Sequence, residues 1–391
     1  MDFGFTKEQE IFRLDVRSFL EKELSPELRS HYEEWAWGRT PDEGLTSCIR
    51  EFGLKLGSNG WLGMSWPRRY GGQDGSVTQE FIFIEELARE GLIIPNYTAV
   101  LMVGPTILHY GTEQQKAKYI PQITRGQIEF ALGYTEPQAG SDLASLKLQA
   151  VEKDNSYILN GQKTFNTACH YADYHWLAVK TDLEAPKHKG ISLFIVDLKS
   201  PGITIRPLHA MDGGLTNEVF YDDVEVPKDN LVGEKNQGFF YAMTALNFER
   251  LMFYHTAELL PVLQELIEYA KKTQRGQDSL ARQKLAEMAI EIEIGRLLSY
   301  RVMWMLDQGY NLSYESAMAK TFNTQVSQHM FSVGMQILGL NSLLGRESKW
   351  AQFGGLMQQG YLSTVLLTFG GGSNELMRNI IATAGLGLPR Q

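Results

Sequence analysis

The sequence predicts an α+β multidomain protein: an N-terminal helical domain over residues 1–130, a middle antiparallel β domain over 131–235 and a C-terminal four-helix bundle over 236–391. Three observations carry that expectation. A chain of 391 residues exceeds what one small core serves, so two or three domains are expected. Apolar residues recur every three or four positions at both ends of the chain and every two in the middle. Short runs in the middle are separated by Gly, Pro and Asp, as turns between strands require.

Taken in order, FIFIEELAREG (81–91) and EQQKAKYIPQITRG (113–126) read as helices, punctuated by WPRRYGG (66–72), Pro95 and Pro105. The stretch HYEEWAWGRTPDEG (31–44) reads as a loop or surface excursion. LKLQAVEKDNSYILNGQKTF (146–165) alternates, turns at KDN and alternates again, which is a hairpin signal. WLAVKT (176–181), ISLFIVD (191–197), GITIRP (202–207) and EVFYDDVEVP (218–227) follow as short strands, predicting a small antiparallel sandwich or barrel. Helical spacing then returns over 237–273, 279–308, 313–340 and 348–368, four long segments suited to a bundle.

Hydrophobic residues make up 43% of the chain and charged residues 21%, the balance of a soluble globular protein. A formal charge of −9 argues against nucleic acid or an anionic membrane as partner. No apolar run reaches spanning length, and the N-terminus lacks the basic and apolar regions of a signal peptide. A cytoplasmic protein without membrane insertion is the expectation. Cys48 and Cys169 make no disulfide framework, and Cys169, His170 and His175 lack a fourth ligand at metal-site spacing, so no metal is expected. No GxGxxG follows a strand, and neither a Walker lysine motif nor a GxSxG elbow is present, which removes support for nicotinamide binding, phosphoryl transfer and hydrolase chemistry.

Four segments remain as carriers of chemistry. YTEPQAGSDLAS (134–145) offers backbone N–H groups and short hydroxyls suited to a phosphate or a flavin edge, although an ordinary helix-to-strand turn has the same composition. NGQKTFNTA (160–168) places Phe165 and Thr167 on one face of a strand, where a ring and a hydroxyl could meet a flat heterocycle; a half-buried strand reads the same way. FGGGSNELMRNIIA (369–382) combines a glycine run open to close ligand approach with Ser373, Asn374 and Glu375 as cap and first turn of a helix. In ALNFERLMF (245–253), Ala245, Leu246, Met252 and Phe253 are the helical neighbours of Glu249, and all are apolar. A carboxylate projecting from such a stripe should be paired, protonated or functional, with Arg250 the candidate structural partner.

In this order, TEPQAGSDLAS, the NGQK strand, VEVPKDNLVGEKNQGF (224–239), QILG (336–339) and SNELMRNIIATAGLGLPR (373–390) resemble the acyl-CoA dehydrogenase family over nearly the whole chain. The resemblance implies FAD-dependent α,β-dehydrogenation of an acyl-CoA thioester to a trans-2-enoyl-CoA, with the β-hydrogen passing as hydride to flavin N5. Electron-transfer flavoprotein is the implied acceptor, and the assembly a homo- or heterotetramer. Position by position, Tyr134 and Thr135 match contacts to the flavin's pyrimidine side and Ser141 a pyrophosphate contact beside the substrate. Phe165 stands where the family usually has Trp over the flavin ring, and Thr167 matches the hydroxyl near N5. Gln336 and Gly339 match the stretch that meets the adenine half of FAD from a second subunit. Ser373 and Glu375 complete the cofactor positions. Arg250 matches a basic residue near the thioester, Asn247 replaces the common Asp that meets pantetheine, and Gly371 and Gly372 border the substrate.

Two departures sharpen the expectation. In many members the base is a Glu in the turn before the last helix, and here that position is Gly371. A branch including isovaleryl-CoA dehydrogenase and some bacterial steroid side-chain dehydrogenases carries the base on the first long helix of the bundle, which in this sequence is Glu249. The apolar stripe and the resemblance therefore name the same residue. The missing side chain at Gly371 leaves room for a branched, cyclic or otherwise bulky acyl group. At YAKKTQRGQ (269–277), Thr273 and Gly276 replace the usual Arg and Phe that hold the neighbouring subunit's FAD. Pairing with a different chain and a substitute contact from Arg275 both account for this, and the first admits a half-site subunit without chemistry of its own. An oxidase or monooxygenase of the same fold is the other alternative.

Overall fold

The computed structural model describes residues 4–30, 43–252, 256–310 and 312–389; the side chains at 43–45, 247, 248, 251 and 252 lie outside the description. The surface excursion expected over 31–44 falls almost entirely outside it, as does the Asn247 side chain. The chain packs as two compact units. One gathers the N-terminal residues, Val77–Ile93 and the chain from Glu249 onward; the other gathers Gly38–Ser76 and Ile94–Phe248.

The second unit is built on one eight-stranded sheet. Its strands are β1 (Phe130–Gly133), β2 (Gln149–Lys153), β3 (Ser156–Lys163), β4 (Tyr174–Lys180), β5 (Ile191–Asp197), β6 (Ile203–His209), β7 (Leu215–Pro227) and β8 (Leu231–Val232). The order is β6-β7-β3-β2-β4-β5-β8, with β1 paired to β4. The KDN hairpin forms as expected, Lys153 facing Ser156 across the turn. Most pairings are antiparallel, but β1 and β2 each run parallel to β4. Alternation of side chains is the same in both kinds of ladder, so spacing alone could not distinguish them. β4 and β5 are buried along almost their whole length, which is why WLAV and ISLFIV are continuous apolar runs rather than alternating ones. Leu159, Leu177, Phe194, Val196 and Val219 form the centre of this core.

Helices α2 (Glu43–Ser58), α4 (Gly104–Tyr110) and α5 (Glu113–Thr124) belong to the same unit. Gly57 near the end of α2 lies against the chain just past α5, where an added Cβ would stand 2.5 Å from the Arg125 carbonyl carbon. Backbone cannot yield as a side-chain tip can. Gly57→Ala is expected to lower the unfolding free energy by about 1–3 kcal/mol, and an unchanged denaturation midpoint would contradict this close approach.

In the first unit, α1 (Lys7–Glu23) opens on a capping box in which Thr6 and Gln9 satisfy each other's backbone N–H groups. α3 (Val77–Arg89) is apolar around most of its circumference and also buries the adjacent Glu85 and Glu86. Two neighbouring buried carboxylates require cations. Arg13 supplies one to both at 2.7 Å, Arg17 reaches Glu86 at 2.7 Å, and Tyr300 and Arg296 reach Glu85 at 2.7 and 3.3 Å.

The C-terminal helices of this unit are α7 (Leu259–Lys272), α8 (Ser279–Asp307), α9 (Glu315–Leu338), α10 (Leu356–Leu367) and α11 (Asn374–Ile380). α6 (Gly238–Met252) precedes them, so the segment expected as one helix over 237–273 contains two. Pro261 stands in the first turn of α7, where its missing N–H costs nothing. α9 packs against α7, α8, α10 and α11, with Leu266, Met288, Ile292, Met330 and Ile337 at the centre. No helix among the described residues is long and apolar enough to cross a membrane.

Candidate active site

The candidate residues fall into two groups, one in each unit. The first begins at the end of α6. Ala245 is fully buried, and Glu249 one turn later is 8% exposed. The Glu249 Oε2 atom has no hydrogen-bond partner among the described residues. Burial pushes its carboxyl up to about 7, against the opposing pull of the positive charges on Arg250 and Lys320. A carboxyl poised near neutrality with an open lone pair can accept a proton at working pH.

Beside it stands the glycine turn before α11. Gly371 and Gly372 adopt φ of 62° and 97°, so the run answers a backbone requirement as well as removing side chains. Two buried cations grip successive carbonyls of this turn. The Arg250 Nε donates to Gly371 O at 3.1 Å, and the Lys320 Nζ donates to Gly372 O at 2.9 Å. Lys320 also donates to Asn374 Oδ1 at 3.0 Å, and the Asn374 amide donates to Thr324, one turn further along α9, at 3.1 Å. Ser373 caps α11 by accepting from Leu376 N at 3.2 Å. Its own backbone N–H donates to no acceptor among the described residues. Glu375 points outward, 3.8 Å from Arg378 and largely exposed.

Arg275 comes to 3.7 Å from the position a Cβ would take on Gly339, whose φ is 62° at the end of α9. Gln336, one turn earlier, is exposed and its amide oxygen accepts from Lys284.

The second group lies in the other unit, on the loop after β1 and the chain leaving β3. Glu136 and Lys163 form an ion pair at 2.9 Å with almost no exposure. The Glu136 carboxylate also accepts from the N–H groups of Lys147 and Leu148 at 2.6 and 2.9 Å, and Lys163 donates to Tyr134 O at 3.1 Å. The Thr164 N–H donates to Thr135 O at 2.9 Å. TEP and NGQK are thus two halves of one buried polar cluster that shapes the 134–145 loop. Tyr134 is buried, and its hydroxyl accepts from the Trp176 indole at 3.0 Å, which makes the ring part of the domain core. Ser141 is exposed.

Phe165 and Thr167 do not lie on a strand as expected: β3 ends at Lys163, and Phe165 turns to a φ of 56°. The outcome for the surface is nevertheless similar. Phe165 is 63% exposed, Thr167 is exposed, and Asn166 between them is buried with its Oδ1 lacking a hydrogen-bond partner among the described residues. An exposed ring, an adjacent hydroxyl and an unsatisfied amide oxygen fit a flat, polar-edged heterocycle such as a flavin. Cys169 and His175 meet each other, and His170 is engaged elsewhere. His175 lies between Cys169, at 3.5 Å, and Tyr221, while His170 meets Asn217 at 3.1 Å. Among the described residues no group of His, Cys, Asp and Glu is placed to hold a metal ion.

Sequence reasoning assigned no role to Lys320, Glu136 or Lys163. The signal for Lys320 was available in ESAMAKTFNTQ. Ser316, Ala317 and Thr324 occupy its helical neighbourhood, and none is a large solvated residue.

Comparison with known proteins bears on the whole chain. Sequence models for the acyl-CoA dehydrogenase N-terminal, middle and C-terminal domains match residues 6–127, 131–224 and 236–386. The acyl-CoA dehydrogenase FadE26 of Mycobacterium tuberculosis is 35% identical over 403 aligned positions, covering 100% of this chain and 99% of that protein. FadE29 of the same organism is 36% identical, with the same coverage. Among solved structures, the Tcur3481-Tcur3483 steroid ACAD superposes with a TM-score of 0.92 at 34% identity, covering 100% of both chains. The ChsE4-ChsE5 complex from Mycobacterium tuberculosis gives 0.89 at 34% identity, again with full coverage of both chains.

Proposed function

This chain belongs to the acyl-CoA dehydrogenase family of oxidoreductases, and on that premise we propose that it desaturates a bulky acyl-CoA thioester with Glu249 as the base. The observation that carries the assignment is the buried Oε2 of Glu249, unpartnered among the described residues, in a carboxyl pushed up to about 7. An α-proton next to a thioester is weakly acidic, so its removal needs a base in reach and a donor for the carbonyl oxygen where charge develops. Glu249 takes the proton. The Ser373 N–H, without an acceptor among the described residues, donates to the thioester carbonyl. Arg250 and Lys320 hold the turn that carries this N–H, and Gly371 puts no side chain beside it.

When bound, FAD supplies the two-electron acceptor for the β-hydrogen, chemistry that no side chain offers. Phe165 and Thr167 would hold the heterocycle, and the loop braced by Glu136 and Lys163 would offer Thr135, Ser141 and the backbone of Tyr134 to the rest of the cofactor. Gln336, Gly339 and Glu375 would serve as cofactor contacts, and Arg275, beside Gly339, would replace the Arg and Phe that the family usually has at Thr273 and Gly276. Asn247 meets the pantetheine arm. Electron-transfer flavoprotein is the acceptor.

The bulky substrate is supported by the missing side chain at Gly371 and by similarity to the Tcur3481-Tcur3483 steroid ACAD. Anaerobic titration with a panel of acyl-CoA thioesters tests the assignment. Polycyclic or branched acyl groups should bleach the flavin fastest; reduction restricted to short straight chains would overturn the substrate class. A second reading is favoured by Thr273 and Gly276 together with similarity to the Tcur3481-Tcur3483 steroid ACAD and the ChsE4-ChsE5 complex: assembly with a non-identical chain. One FAD per chain in protein purified alone would contradict that reading, and about half of that would support it.

A further inference from the structure

We propose that Lys320 is a positioning residue for the dehydrogenation: it orients and polarises the Gly372–Ser373 peptide so that the N–H of Ser373 can stabilise charge on the thioester oxygen. This rests on the site proposed above, though not on which carboxylate takes the proton.

The argument begins with a cost. Lys320 is fully buried on the interior face of α9, and a buried ammonium is retained only where it is well satisfied or put to use. Its Nζ donates to Gly372 O at 2.9 Å and Asn374 Oδ1 at 3.0 Å. Asn374 is itself 4% exposed and fastened to Thr324, so the second acceptor is fixed by the helix that carries the lysine.

The Gly372 carbonyl and the Ser373 N–H are opposite ends of one planar peptide group. A cation held on the oxygen therefore sets the direction of the N–H. It also withdraws electron density through the amide, which strengthens the N–H as a donor. The turn needs such a clamp, because Gly370, Gly371 and Gly372 have no side chains to hold it and the greatest freedom to lose. Arg250 on the preceding carbonyl restrains the adjacent peptide, at 3.1 Å from Gly371 O. The charged groups acting on Lys320 are Arg250 and Glu249 from α6 and Glu375 from α11. Burial and Arg250 lower its proton affinity to about 8, against Glu249 and Glu375, so the ammonium is charged at neutral pH.

The test compares Lys320→Gln, which keeps a neutral donor, with Lys320→Arg, which keeps the charge, in protein loaded with FAD. Removing charge from the clamp should lower the limiting rate of anaerobic flavin reduction about 100-fold, the scale of a lost oxyanion donor, with substrate Kd changed by less than threefold. Lys320→Arg should recover at least a tenth of the wild-type rate. In protein without substrate, hydrogen exchange at the amides of residues 371–374 should accelerate in Lys320→Gln and less in Lys320→Arg. A rate within threefold of wild type in Lys320→Gln, or a loss confined to Kd, would overturn the proposal. If Lys320→Gln does not fold, Lys320→Arg decides: a folded variant that loses more than 100-fold contradicts the role of charge, and one that retains a tenth supports it. Glu249→Gln, assayed in parallel, reports separately on the base. Its failure would leave the Lys320 result standing, since any base requires the same oxygen to be stabilised.

Discussion

Glu249→Gln should retain FAD and acyl-CoA binding, lose flavin reduction by about 100- to 10,000-fold, and yet unfold at a higher temperature than the wild type at pH 8. The rate loss is the range that a general base contributes. The stability gain follows from the same burial. In the folded chain the carboxyl is pushed from 4.5 up to about 7, so the fold disfavours the ionised form. The unfolded chain ionises near 4.5. Above that pH the native state loses stability relative to the unfolded state, and the loss is complete once the folded group has also ionised, above pH 7. A neutral amide of the same shape escapes this penalty of roughly 3 kcal/mol at pH 8. Near pH 4.5 the two proteins should therefore be nearly equal in stability, and the variant's advantage should grow between pH 5 and 7. Thermal denaturation across that range checks the sign. A variant less stable than wild type at pH 8 would show that Glu249 makes a structural pair rather than serving as a strained base.

Lys163→Met should destabilise the second unit by about 3–5 kcal/mol, because it strands the fully desolvated Glu136 carboxylate. It should also release FAD, since Lys163 holds Tyr134 O and Glu136 holds the backbone at Lys147 and Leu148. The effect belongs to the pair rather than to either charge. Lys163→Met combined with Glu136→Gln should recover a large part of the stability, because no charge is then left buried. FAD affinity should recover less, since neither Met nor Gln restores the contact to Tyr134. Denaturant melts and flavin content per chain measure the two quantities. Equal losses in the single and double variants would mean that the cluster acts only as packing.

The order of helices, sheet and helices was legible because burial on one face imposes a period, and that period is written residue by residue. The hairpin at KDN was legible for the same local reason. Parallel pairing of β1 with β4 was not, since Phe130 and Tyr174 are far apart in sequence and neither strand's pattern names its partner. The division between α6 and α7 is not legible in apolar spacing; Pro261 in the first turn of α7 is its local sign. Alternation alone puts Phe165 on a strand; the left-handed φ just past the strand's end leaves no compositional mark.

At the candidate site, Glu249 could be found because a charge inside an apolar row is anomalous wherever it occurs. Lys320 could not be found so directly. A lysine on a helix ordinarily extends to water; the small neighbours in ESAMAKTFNTQ hint otherwise, and the depth of α9 between α7, α8, α10 and α11 shows that this one cannot. The Glu136–Lys163 pair was hidden differently: both residues lay within segments already singled out, but 27 positions separate them and nothing in either segment points to the other.

The most direct test of Glu249 as base is the pH dependence of anaerobic flavin reduction in the wild-type protein, expressed as the limiting rate divided by substrate Kd. That ratio reports ionisations of the free enzyme. It should climb about tenfold per pH unit below 7 as the Glu249 carboxyl ionises, and fall again above about 8 as Lys320 loses its charge. A profile flat from pH 5 to 9, or the same rising profile in Glu249→Gln, would contradict the assignment.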